Sequence, residues 1–231
     1  MNTIYQPKGK ALEYSELALN LYASCTHDCR YCYNRLTPWY RPRPCRPRPG
    51  IIKALQKYVA KNPGDGRDVL LCFSCDPYPV GMDHSITSKA LGILTSNGYF
   101  PNVLTKNPHA AVRDAENIWE IGTTFTSIKY AKEWEPDAPA VTARMEALKE
   151  FLALMENPFE RIWVSLEPVL SMDVLDVVEE LKHFIDHWTI GKLNHMQGPE
   201  EIDWPKFRRE IERLLPDGNF LFKKDTEPLT K

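Results

Sequence analysis

Short apolar segments rich in β-branched and aromatic residues alternate with longer amphipathic segments along this chain, six or seven times over. Residues 17–23, 69–73, 102–104, 123–128, 162–166, 188–190 and 219–222 read as strands. Residues 51–60, 88–94, 110–119, 141–155, 172–184 and 204–215 carry apolar side chains at a helical period. Turn-forming groups such as Asn62-Pro63-Gly64-Asp65-Gly66, Asn97-Gly98 and Pro216-Asp217-Gly218 punctuate them. This alternation predicts an α/β fold with parallel strands and helices outside. A closed eight-fold barrel takes about 250 residues, and the chain has 231. An incomplete, open (β/α)6-type TIM-like barrel therefore fits better. No internal repeat or linker divides the chain, so residues 1–231 are expected to form one domain.

In α/β barrels functional groups sit at the carboxyl ends of the strands. The first predicted strand runs into Cys25-Thr26-His27-Asp28-Cys29-Arg30-Tyr31-Cys32, with three thiols inside eight residues. No fourth cysteine stands at matching spacing, whereas a closed zinc site and most ferredoxin-type clusters take four ligands. Three cysteines can hold three corners of a cubane cluster and leave the fourth iron open to a substrate or cofactor. The later strands end in Ser74-Cys75-Asp76, Thr105-Lys106-Asn107, Thr126-Ser127, Glu167-Pro168, Lys192 with Asn194, and Lys223-Lys224. Apolar segments each followed by a polar cluster are expected to converge on one rim.

The CxxxCxxC spacing, with Tyr31 before the last cysteine, resembles the signature of the radical S-adenosylmethionine (AdoMet) superfamily. The local sequence, Leu19-Asn20-Leu21-Tyr22-Ala23-Ser24 before the motif and Tyr33-Asn34 after it, is similar to the branch that contains spore photoproduct lyase. The resemblance implies an incomplete barrel, a [4Fe-4S] cluster on Cys25, Cys29 and Cys32, and AdoMet on the open iron. It also implies reductive cleavage of AdoMet to a 5′-deoxyadenosyl radical that takes hydrogen from a substrate, with an external flavodoxin- or ferredoxin-like electron donor. In that setting a lysine suits the AdoMet carboxylate, a serine or aspartate such as Ser74 or Asp76 suits its amino group or ribose, and Tyr31 flanks the adenine.

By the same resemblance Lys106 holds the AdoMet carboxylate and Ser127 shares that duty. Cys75 matches a cysteine that donates a hydrogen atom to the product radical, and Tyr33 matches a tyrosine of the radical relay. Glu167 is expected either to bind cofactor or substrate or to pair with Lys192. Cys72 reads as a small packed hydrophobe. The Asp76-Pro77-Tyr78-Pro79 form of the second loop looks more like other relatives than like the lyase itself, so DNA lesions are not assigned as the substrate. Nucleic-acid, peptide and small-metabolite radical chemistry stay open, as does a non-catalytic zinc, iron–sulfur or nucleic-acid-binding module.

The formal net charge of -2 gives no global basic field toward nucleic acid or an anionic membrane. Any such contact rests on a local patch, for which the Arg/Pro-rich loop at 35–50 is the candidate. Its Arg41, Arg43, Arg46 and Arg48 sit on a stiff, extended backbone. They suit either phosphates, with Trp39 and Tyr40 for base stacking, or carboxylates of the protein itself. No apolar run is long enough to span a bilayer, no secretory signal is read at the start of the sequence, and clustered free thiols predict a reducing, cytoplasmic setting.

Overall fold

Buried β-branched and leucine side chains build the centre of the molecule. The computed structural model describes residues 3–8, 12–36, 44–154 and 161–230. Among these residues eight strands form one sheet, in the order of the chain: β1 (Ile4–Tyr5), β2 (Leu17–Leu19), β3 (Asp68–Leu71), β4 (Phe100–Leu104), β5 (Glu120–Thr124), β6 (Arg161–Val169), β7 (His187–Lys192) and β8 (Phe220–Phe222). β1 is antiparallel to β2, and every later neighbour is parallel. Among the described residues seven α-helices connect them: α1 (Ile51–Val59), α2 (Ser85–Ser96), α3 (Pro108–Ala111), α4 (Ala131–Trp134), α5 (Val141–Leu154), α6 (Val174–Leu181) and α7 (Trp204–Leu214).

Parallel strands joined by helices must be covered on both faces. In β3 the successive residues Val69, Leu70 and Leu71 are all buried. The helices supply one cover through apolar stripes at helical spacing: Ile51, Leu55 and Val59 on α1, Val174, Val177, Val178 and Leu181 on α6, and Phe207, Ile211 and Leu214 on α7. Each fully buried side chain of this kind contributes roughly 1.5–3 kcal/mol. α7 starts on Asp203, whose carboxylate accepts the Lys206 N–H at 2.9 Å, and Pro205 follows in the first turn, where a missing N–H is harmless.

The structure departs from the expected elements in several places, among them the strand expected over 17–23, which ends at Leu19. A two-residue edge strand, β1, carries no period a sequence can show. The segment expected as one helix over 110–119 is a single turn, α3, followed by a 3-10 helix Val112–Asn117. The strand expected over 123–128 starts and ends earlier, as β5. β6 does not stop at Glu167-Pro168 but continues to Val169, with a register shift between Leu166 and Val169 that accommodates the proline.

Candidate functional site

Residues two apart on a strand share a face. Ser165 and Glu167 on β6 are such a pair, and they line one cavity of about 660 Å³ at the carboxyl ends of the strands with Leu70 and Leu104 and with Cys72 and Lys106 just beyond β3 and β4. Thr124 from β5 and Lys192 from β7 join them, with Tyr5 and Tyr14 from the N-terminal segment. Tyr14 reaches over the cavity. Its hydroxyl donates to Glu167, its edge meets Phe73, and the Lys223 ammonium lies 3.6 Å from its ring centroid and 3.2 Å from Glu13.

Cys25, Cys29 and Cys32 all open onto this cavity. Their loop is tied down by the Cys32 N–H to the Cys29 carbonyl at 3.2 Å and the Arg30 N–H to the Trp134 carbonyl at 2.9 Å. Burial pushes the Cys25 thiol well up, with Asp76 adding to it. Burial also raises the Cys29 thiol, opposed by the Lys106 ammonium. Among the described residues no three His, Cys, Asp or Glu groups stand close enough to hold a single metal ion. A cubane asks for a different spacing, because each thiolate binds a different iron. Three thiols lining one cavity are the donor set that such a cluster takes when a fourth position is left open.

Asp76 is the tie that fixes the strand ends beneath these thiols. Its Oδ1 accepts the Tyr78 N–H at 2.8 Å and the Thr105 hydroxyl at 2.6 Å, and its Oδ2 accepts the Lys106 N–H at 2.9 Å. His27 Nδ1 lies 3.3 Å from the same oxygen. Burial lowers the His27 pKa, with Lys106 and Arg144 adding to it against the pull of Asp76, so the imidazole is neutral near pH 7. His27 Nε2 is buried and has no hydrogen-bond partner among the described residues.

A second network stands behind Lys106. Its ammonium lies 3.9 Å from Glu135 Oε1 and 5.3 Å from the Tyr31 ring centroid. Glu135 also accepts the Tyr31 hydroxyl, and it pairs with Arg144 at 2.5 Å. Burial alone would raise the Glu135 pKa, but the Arg144 and Lys106 charges overcome it and hold the carboxyl below its usual range. Burial likewise opposes the Lys106 charge, and Cys29 and Glu135 outweigh it and raise its pKa.

The predicted residues Tyr31, Tyr33, Cys75, Asp76, Lys106 and Glu167 all line the cavity with the three cysteines. Tyr33 is half exposed, donates its hydroxyl to the Phe73 carbonyl at 2.8 Å, and has its pKa raised by burial. Cys75 is partly buried. Burial and a hydrogen bond with Cys72 raise its thiol pKa well above the ordinary value. Glu167 binds Tyr14 rather than Lys192. Two of the predicted residues do not line the cavity. Ser74 is held from three sides, by Asn20 on its N–H at 2.9 Å, Asn34 on its carbonyl at 3.0 Å and Arg48 on its hydroxyl at 3.5 Å. The buried Ser127 hydroxyl donates to Asp173 at 3.2 Å and accepts the Tyr130 N–H at 3.0 Å.

Of the loop arginines, Arg48 turns inward and donates to the Tyr22 carbonyl at 3.0 Å, whereas Arg46 is exposed. Trp39, Tyr40, Arg41 and Arg43 lie outside the described residues. The sequence reading missed Tyr14, His27, Glu135 and Arg144 as parts of the site. Arg144 did carry a signal: it occupies the apolar stripe of Val141, Leu148 and Phe151 on α5, where a buried cation needs a buried partner.

No protein-family model matches the chain, and no curated protein does. Solved structures do. A cysteine-to-serine mutant of spore photoproduct lyase covers 95% of this chain and 79% of its own, at 16% identity and a TM-score of 0.70. The same lyase complexed with dinucleoside spore photoproduct gives 16% identity and a TM-score of 0.69 over the same shares. The structure of anSMEcpe with bound AdoMet and a peptide covers 87% of this chain and 58% of its own, at 13% identity and a TM-score of 0.51. At these identities the likeness is one of fold.

Proposed function

We propose that this chain is a radical AdoMet enzyme: a single core domain over residues 1–231, built as an incomplete (β/α)6-type barrel around one cofactor cavity. The observation that carries this reading is the convergence of Cys25, Cys29, Cys32, Lys106, Cys75 and Glu167 on that cavity. Curvature of the sheet is supported by the same lining. In a flat sheet β3 and β7 would stand about 19 Å apart, from four spacings of roughly 4.8 Å, yet both face one cavity, and Tyr14 bridges to β6.

A [4Fe-4S] cluster on the three thiolates supplies, when bound, the electron for reductive cleavage of AdoMet to a 5′-deoxyadenosyl radical. The protein's own groups do the rest. Lys106 stands beside Cys29 as a fixed cation for the AdoMet carboxylate, held in place by Glu135, which Arg144 keeps ionised. Tyr31, anchored by its hydroxyl on Glu135, offers a ring face to the adenine. Glu167 is oriented by Tyr14 toward the ribose or amino group. Asp76 positions the Lys106 backbone and His27 rather than contacting cofactor freely. Ser127 serves through the loop that its hydroxyl and Asp173 hold, and Ser74 through the backbone beside Cys75.

Cys75 is the hydrogen-atom donor and Tyr33 the group that relays the radical. A thiol can donate a hydrogen atom only while it keeps its proton, and burial holds the Cys75 thiol in that state. The substrate is a nucleic acid approached across Arg46 and its neighbours, or else a peptide or small metabolite. The reductant is a flavodoxin- or ferredoxin-like protein in a cytoplasmic setting, where thiols stay reduced. No helix among the described residues is long and apolar enough to cross a membrane.

Anaerobic reconstitution with iron and sulfide tests the cluster. The reading expects about four irons and four sulfides per chain, lost together in Cys25→Ala, Cys29→Ala or Cys32→Ala. Stoichiometric zinc in place of iron would overturn it.

A further inference from the structure

The cavity wall contains a second thiol that the proposed chemistry leaves without a role. Cys72-Phe73-Ser74-Cys75 directly follows β3 and sets two cysteines three residues apart. Both side chains line the cavity, both are free, and the Cys72 sulfur is near enough to help raise the Cys75 thiol pKa. Cys72 is not only a packed hydrophobe, because its sulfur also accepts the Leu21 N–H at 3.4 Å. The Cys75 thiol beside it is held protonated by burial.

We infer that Cys72 and Cys75 form a redox-active thiol pair that closes to a disulfide by exchange with a small soluble disulfide entering the cavity. The Cys72 thiolate displaces one thiolate from the soluble disulfide and forms a mixed S–S bond. Cys75 then releases its proton and attacks the Cys72 sulfur, forming the protein disulfide and freeing the second thiol. Two protein thiols are oxidised, and one soluble disulfide is reduced to two thiols. Closure removes the S–H that Cys75 presents to the cavity. That consequence rests on the donor role proposed for Cys75, whereas the pair itself stands on the three-residue spacing of the two cysteines and the cavity they share.

Cleavage after Arg67 and Lys89 releases both cysteines in one peptide, Asp68–Lys89, that contains no other cysteine. The reconstituted chain is incubated anaerobically with 2-hydroxyethyl disulfide, then alkylated and digested without reduction. The expected result is a peptide lighter by two hydrogens and carrying no alkyl group. Cys72→Ala and Cys75→Ala should each give instead a single adduct or a single alkylated thiol. Separate adducts on both cysteines, or two alkylated thiols after Cys45 has already reacted, would overturn the pair. Iron content is scored on the same samples, so loss of the cluster reading is seen separately from loss of the disulfide.

Discussion

Glu135 and Arg144 form an ion pair inside the protein. Both are almost completely buried, and each is the other's principal partner. Removing one side strands a charge in a low-dielectric interior. Arg144→Met is expected to cost about 3–5 kcal/mol in urea unfolding, and adding Glu135→Leu should recover a large part of it. Because the folded-state pKa of Glu135 is depressed, its contribution is present above the ordinary carboxylate range and is lost as pH falls through the folded value. Acid unfolding of Glu135→Gln should therefore be flatter below about pH 4.3. Gly191 raises a different issue, one of space. A Cβ there would lie 2.7–2.9 Å from Glu167 Cγ, Cδ and Oε1, so the side chain that Tyr14 orients must move. Gly191→Ala is expected to destabilise by about 1–3 kcal/mol and to weaken AdoMet binding, measured by calorimetry; unchanged binding would detach Glu167 from the cofactor.

The elements differ in how openly the sequence announces them. α1, α6 and α7 have apolar stripes that only a 3.6-residue period explains, and α7 adds an Asp203 cap with proline in its first turn. Asp203→Ala should lower stability by about 1 kcal/mol, read from the thermal midpoint. The parallel strands were legible as apolar runs ending in polar clusters, because both of their faces are covered. The boundaries were less legible. Proline at 168 argued for a stop, yet β6 absorbs it through a local register shift. The β-branched run from Thr123 gives its second half to the loop pinned by Asp173, which accepts the Ile128 N–H at 3.1 Å and the Lys129 N–H at 2.7 Å. Tertiary hydrogen bonds there override local strand preference. Spacing exposed the three cysteines at once, since all lie in one loop. Tyr14, Glu135 and Arg144 come together only in three dimensions, from segments more than 100 residues apart along the chain from their cavity partners in the cases of Tyr14–Glu167 and Tyr31–Glu135.

Among the described residues, the parallel strands β2 to β8 follow chain order and bring their carboxyl ends to one side, and the N-terminal segment reaches across to β6 and to Lys223 just past β8. That arrangement turns a cysteine loop, a buried cation and a thiol pair, distant in sequence, into the walls of one cavity. The central claim is that this cavity holds a cluster and AdoMet together. Its most direct test is 5′-deoxyadenosine release when the anaerobically reconstituted chain is mixed with AdoMet and dithionite. Release by the parent chain and by Cys75→Ala, with none from Cys29→Ala, is the predicted result. A full complement of iron and sulfide with no 5′-deoxyadenosine from the parent chain would contradict the account.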